Sequence, residues 1–282
     1  MRTPVTIFIS KSRIMKRMIM TAGAMGLLAL GSFAQQKEGS VIYERTTQVQ
    51  MRLMGMNEEM ERAIPKTRTD KFDLTFGNNQ SLWKQAEQES QDDAGGISGG
   101  GMQIHMVVAG SDNILYNNFE TAQRTELREM FDKKFIIDDS IRSLKWKMGE
   151  ETKILLNHLC RKATATNITS RTTMNIDNGK MERKEVSDTS LIVAWFTTDI
   201  PVSAGPAEYQ GQLPGLILEM DIGNGRQTYK ALAISEKADL ASIKAPQGKK
   251  HYTPDEFRKE STKMMEEMQK NNSGGNRVFR MN

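Results

Sequence analysis

The feature that most constrains this chain is alternation with period two, because successive side chains of an extended strand point to opposite faces. Val49, Met51 and Leu53 oppose Gln48, Gln50 and Arg52, and Phe72, Leu74 and Phe76 oppose Lys71, Asp73 and Thr75. Leu144, Trp146 and Met148 oppose Lys145 and Lys147, while Leu216, Leu218, Met220 and Ile222 oppose Glu219 and Asp221. Strands of this kind bury one face and wet the other, as antiparallel sheets do. Residues 191–196 are apolar throughout, which predicts a central strand covered on both faces. Turn signals separate the runs at hairpin spacing. Gly77-Asn78-Asn79 lies between the Phe72 run and 81–87, and 110–113 lies between 104–109 and 114–119. Asn178-Gly179 and Asn224-Gly225 each supply two residues that accept positive φ in a type I′ turn. The expected fold is mainly β (α+β), a single curved antiparallel meander sheet with a C-terminal helix.

That helix is announced by Thr253 as N-cap, Pro254 in the first helical position and Glu256 closing a capping box. Phe257, Met264, Met265 and Met268 form its apolar stripe, and 271–275 should end it. Residues 57–64 read as a short helix interrupting a hairpin, and 91–101 (QDDAGGISGGG) as a flexible loop. Residues 121–131 have helical propensity yet sit among strands, so strand and helix both stay open there.

The first 34 residues read as a signal peptide. Lys16-Arg17 is the positive region, 18–30 the short apolar run, and Ser32-Phe33-Ala34 a small-residue exit that predicts cleavage before Gln35. Met15, directly before Lys16-Arg17, is the expected translation start. The alternative is an anchor helix, but the run is too short for a bilayer span, as is every later apolar stretch. No cysteine follows it, as lipoprotein processing would require. The expected organisation is 1–34 leader, 35–250 antiparallel β domain, and 251–282 helix and loose tail. The expected location is the periplasm or the outer-membrane surface. Five of the 39 basic residues lie in 1–34 with no acid beside them, so 34 remain against 35 acidic ones. The exported part is near neutral, which removes the electrostatic footprint of a nucleic-acid binder. With Cys160 the sole cysteine, no intramolecular disulfide can form and a buried thiol is expected.

Gln212-Leu213-Pro214-Gly215-Leu216-Ile217, preceded by Gly211, resembles the signature of the GLPGLI family, exported proteins of the Bacteroidetes. It departs from that signature in having Gln212 where the family has glycine. Phe135-Ile136-Ile137-Asp138-Asp139, Trp146-Lys147, Glu151-Thr152-Lys153 and Cys160-Arg161-Lys162-Ala163 resemble the family's middle segment. Ala194-Trp195-Phe196-Thr197, Ile200-Pro201 and Gly205-Pro206 resemble its approach to the signature. The resemblance spans roughly 40–240 and implies no catalytic residue. By pattern the fold is similar to the half-barrel of lipoprotein carriers, one curved sheet closed over by helices. The residues of the signature read first as a backbone corner, because glycine and proline act mainly on the main chain; contact with a ligand is the alternative.

Candidate chemistry is sparse. His158 and Cys160 are two apart and share a face of a strand, which could make a thiolate dyad or half a metal site, against plain packing. Met102, His105 and Met106 form a soft donor set of the kind Cu(I) takes, although Met102, Ile104 and Met106 also alternate as any strand would. No phosphate loop, Ser-His-Asp order or carboxylate pair stands out. The expectation is therefore a non-enzyme without cofactor, an exported binding or carrier protein for a hydrophobic ligand or an envelope partner. The alternatives are an assembly partner of an outer-membrane complex and a copper-binding protein.

Overall fold

The computed structural model describes residues 37–48, 65–86, 97–99, 102–104, 113–177 and 180–273, all within one compact unit, Gln36–Asn282. The strands are β1 (Gly39–Gln48), β2 (Thr67–Gly77), β3 (Gln80–Gln85), β4 (Ile97–Gly99), β5 (Met102–Ile104), β6 (Ile114–Asn118) and β7 (Gln123–Met130). They continue as β8 (Lys133–Ser140), β9 (Lys147–Leu155), β10 (His158–Asp177), β11 (Lys180–Thr197), β12 (Leu216–Ile222), β13 (Gln227–Ser235) and β14 (His251–Tyr252). One helix, α1 (Pro254–Ser273), follows. Twelve strands form one sheet in the order β14-β8-β7-β6-β3-β2-β1-β13-β12-β11-β10-β9, and β4 pairs with β5 separately. All pairings are antiparallel except β14 with β8.

The order resolves into two meanders. Strands β1, β2, β3, β6, β7 and β8 run outward on one side and β9 to β13 return on the other, meeting where β13 pairs with β1. This topology dictates curvature. Laid flat, β8 and β9 would stand ten strand spacings apart, about 48 Å. The chain joins them through residues 141–146 alone, a span that reaches about 25 Å at full extension. The sheet must curl until its two sides approach, without closing into a barrel.

The inside of the curl is filled by the chain itself. Residues 198–215, between β11 and β12, cross the inner face, and Ile200, Ala204, Tyr209 and Leu213 are buried there among Tyr43, Leu74, Phe196, Leu216 and Met220. Ser81 donates to Gln210 at 2.7 Å, and Tyr43 donates its phenol hydrogen to the Ile217 carbonyl. Burial pushes the Tyr43 phenol far above its ordinary range. The helix does not cover this core. It packs against β8 instead, where Phe257 and Met264 meet Phe135 and Ile137. Its capping box forms as expected, with Thr253 N donating to Glu256 Oε2 at 2.8 Å and Glu256 N to Thr253 Oγ1 at 3.3 Å.

Several expectations need correction. Leu144 and Trp146 lie in the irregular crossover and pack against the core; only Lys147 and Met148 join β9, where Met148 is 49% exposed. Leu191–Phe196 buries Ile192, Ala194 and Phe196 on one face, but Leu191 is 45% exposed on the other. Ile97–Gly99, inside the expected loop 91–101, pairs with Met102–Ile104. The open stretch 121–131 is β7, because its neighbours β6 and β8 supply hydrogen bonds on both sides and tertiary pairing overrides local propensity. The leader, the Val49 run, 57–64, most of 104–109, Asn178-Gly179 and the end of the tail lie outside the described residues.

Candidate functional site

The signature residues are a corner of the core. Leu213, Leu216 and Ile217 are buried, Gly215 N donates to the Leu213 carbonyl across Pro214 at 2.9 Å, and Leu216 N donates to Ile200 O at 3.2 Å. Gly215 is needed for close approach rather than positive φ, since a Cβ there would stand 2.0 Å from Thr197 O. Gln212 works as a staple. Its Oε1 accepts from Leu144 N and Trp146 Nε1, both at 3.1 Å, and its Nε2 donates to Glu208 O at 3.0 Å. One side chain thereby ties the crossover to residues 198–215, the plug of the curl.

The structure separates the candidate dyad. The His158 ring faces Asp199 at 3.3 Å, whereas the Cys160 thiol is buried and lies 3.6 Å from the His158 carbonyl. Burial pushes that thiol up to about 11, away from thiolate chemistry. Met102 belongs to β5, while His105 and Met106 lie outside the described residues. No group of three or more His, Cys, Asp or Glu side chains able to hold a metal ion occurs among the described residues. No helix among them is long and apolar enough to cross a membrane.

A different site emerges at the mouth of the curl. Parity along the strands puts charge on the same face as the core, since residues i and i+2 share a face and cross-strand partners do too. Tyr43 pairs with Phe72 and Arg45 with Asp70, while Leu74 pairs with Trp83, Trp83 with Leu115 and Leu115 with Glu126. The inner face thus changes from aromatic to ionic as the strands leave the core. There it opens into a cleft of 470 Å³ lined by Arg45, Arg68, Arg124, Arg128, Glu126 and Glu208 over Phe72 and Trp83.

Asp70 anchors this cluster. It is 4% exposed and accepts from Arg45 Nη2 and Arg68 Nη2, each at 2.8 Å. One carboxylate between two guanidiniums leaves a net positive charge and spare N–H donors, as each guanidinium carries five. Arg45 Cζ also lies 4.6 Å from the Phe72 ring centre, and its buried Nε has no hydrogen-bond partner. Phe72 stacks on Trp83 at 4.9 Å, which fixes the floor. Further along β7, Arg128 pairs with Glu126 at 2.6 Å and Arg124 with Asp139 at 3.0 Å. The cleft offers fixed cationic hydrogen-bond donors on a rigid sheet, a geometry that suits carboxylate, phosphate or sulfate. None of its arginines stood out in the sequence. The available signal was a charge on a core-parity position, Arg45 two after Tyr43 and Asp70 two before Phe72.

A family model described as "Protein of unknown function (Porph_ging)" matches residues 146–219. A search of curated proteins finds no match. Among solved structures, one of PNGF-II is similar at 14% identity and a TM-score of 0.45, covering 77% of this chain. The chain spans 31% of that protein's length.

Proposed function

We propose that the chain is an exported, non-catalytic binding protein of a Gram-negative envelope, and that its ligand is anionic and seats in the arginine-lined cleft. The observation that carries this reading is the bracketing of buried Asp70 by Arg45 and Arg68 at the open mouth of the sheet. A hydrophobic cargo in the curl is disfavoured, because Ile200, Tyr209 and Leu213 of the chain's own plug occupy that face. Two carboxylates of the cleft, Asp70 and Glu126, are held by arginines, which supports binding over acid–base chemistry. Export and envelope location rest on the leader pattern of residues 1–34. The matched segment 146–219 contains Gln212 to Ile217, which supports membership of the GLPGLI family as part of the same proposal.

Native mass spectrometry of protein isolated from the envelope fraction tests this. The expected spectrum shows a chain beginning at Gln35 carrying an anionic adduct that disappears at high ionic strength and in an Arg45→Gln/Arg124→Gln variant. A bound acyl chain retained by that variant would overturn the anionic reading.

A further inference from the structure

Strands β10 and β11 outrun their neighbours. β9 pairs with β10 only from His158 to Thr164, and β12 pairs with β11 only from Ile192 to Thr197. Beyond those limits the two strands stay paired with each other as far as Asp177↔Lys180. They form a two-stranded arm whose outer edges meet no other strand among the described residues. Each edge leaves a row of backbone N–H and C=O groups unpaired, a template for pairing with another chain. We propose that the arm is a dimerisation element, in which the free edge of β10, residues 165–177, pairs antiparallel with the same edge of a second copy of this chain. The proposal is independent of the arginine-lined cleft.

Composition selects this edge. Natural sheets blunt exposed edges with charge, lysine above all, and with bulges. On β11 the stretch 180–188 carries Lys180, Glu182, Arg183, Lys184, Glu185 and Asp188. β9, the last strand of the sheet, carries Lys147, Glu150, Glu151 and Lys153 and a register shift against β10. Residues 165–177 lack such protection. Arg171 and Asp177 are their only charges, they contain no proline or glycine, and six of them are threonine or isoleucine, which favour strands. Ile168 is 70% exposed there.

Two-fold symmetry selects the occupant and the register. An axis normal to the sheet sets residue i beside residue j on the same face, so i and j must share parity. With the axis at Thr172, Ile168 stands beside Ile176 of the second copy, and the reverse, while Arg171 meets Thr173 and Thr169 meets Asn175. No like charges meet. The same register uses the whole edge. Asp177 of the second copy stands beside Asn167, which leaves positions 165 and 166 for its residues 178–179 before Thr164, where β9 begins. Moving the axis to Arg171 sets that residue against its own copy and brings the tip of the arm onto β9. Moving it to Thr173 removes both isoleucine pairs.

Sedimentation equilibrium and thiol cross-linking on the exported chain test this. The parent chain should sediment as a concentration-dependent dimer. Ile168→Lys, which puts on the edge the residue natural sheets use to blunt one, should raise the dimer dissociation constant at least about tenfold. The side chain it replaces is exposed, so the variant keeps its fold. Thr172→Cys should form a disulfide-linked dimer under mild oxidation, since a residue on the axis stands beside its own copy within disulfide reach. Cys160 is buried and does not compete. Glu185→Cys, opposite Thr172 on β11, should form none. A parent chain that stays monomeric at about 100 μM would overturn the proposal. So would a dimer that Ile168→Lys leaves intact, or one that cross-links through position 185 and not 172. Cross-linking of Thr172→Cys to a different protein of the envelope, in place of its own copy, would overturn the second copy as occupant.

Discussion

Gly215→Ala should be among the most destabilising single-methyl additions in this protein. The new Cβ would sit 2.0 Å from Thr197 O, 2.8 Å from Thr197 C and 3.3 Å from Thr198 Cα. All three are backbone atoms, so no rotamer change relieves the overlap. Thr197 is fully buried and paired on both sides, with Cys160 in β10 and Leu216 in β12. Relief therefore requires β11 and the entry to β12 to separate, which disturbs Leu216, Ile217 and Phe196 together. Overpacking a well-packed core costs about 1–3 kcal/mol, and immovable backbone contacts belong at the upper end. At about 2–4 °C per kcal/mol for a domain of this size, the melting temperature should fall by about 6–12 °C. The control is Gly225→Asn. Gly225 holds φ +81° in an open turn whose nearest atom to an added Cβ is Gln48 Nε2 at 3.7 Å, and asparagine tolerates that conformation. Chemical denaturation with an unchanged m-value measures both. If Gly215→Ala melts within about 2 °C of the parent, close approach is not what this glycine provides.

Much of the sheet was legible because burial imposes parity. Phe72, Leu74 and Phe76 bury as their alternation demands, and the turn expected at Gly77-Asn78-Asn79 forms on Asn78 and Asn79 at φ 51° and 57°, with Gly77 paired in the strand. Other reversals carried no signal. Phe131-Asp132 and Leu156-Asn157 also take positive φ in two-residue turns, although phenylalanine and leucine disfavour it. There the register of two long paired strands sets the turn, and the turn residues follow. The Asn224-Gly225 hairpin forms, but through a four-residue connection, 223–226, with three positive φ values. The order of strands was beyond reach, since β1 finds β13 across nearly the whole domain.

The site was hidden for a related reason. A strand pattern tells which face a residue occupies, not whether that face is still core at that height. Arg45 and Asp70 have core parity but stand where β1 and β2 rise past the plug. Only the route of 198–215, which a sequence without regular structure does not reveal, decides where the inner face ends. The same route fills the inner face with Ile200, Ala204, Tyr209 and Leu213 of the chain itself.

Gln212→Gly, which installs the glycine of the signature this segment resembles, removes two hydrogen bonds between the crossover and residues 198–215 and one within that segment. It should cost about 1–3 kcal/mol, read from the shift in denaturation midpoint; no loss would make the staple redundant. The capping-box carboxyl of Glu256 is held below its usual range by the Thr253 backbone N–H and hydroxyl. A depressed carboxyl contributes above its unfolded value and loses that contribution as pH falls through the folded one. Protection of the first-turn amides of α1, relative to their intrinsic exchange rates, should fall as the pH drops through the titration of this carboxyl, and Glu256→Gln should remove that dependence. Cys160 tests the rejected dyad. With its thiol pushed up to about 11, the thiolate fraction at pH 8 is about 200-fold smaller than for an exposed cysteine of ordinary acidity. Burial adds a steric barrier, so labelling by a thiol reagent should be slower still and accelerate when denaturant opens the β10–β11 pairing. His158→Ala should leave the native rate unchanged, because the imidazole faces Asp199 rather than the sulfur. Fast native labelling that His158→Ala abolishes would restore the dyad and with it the case for catalysis.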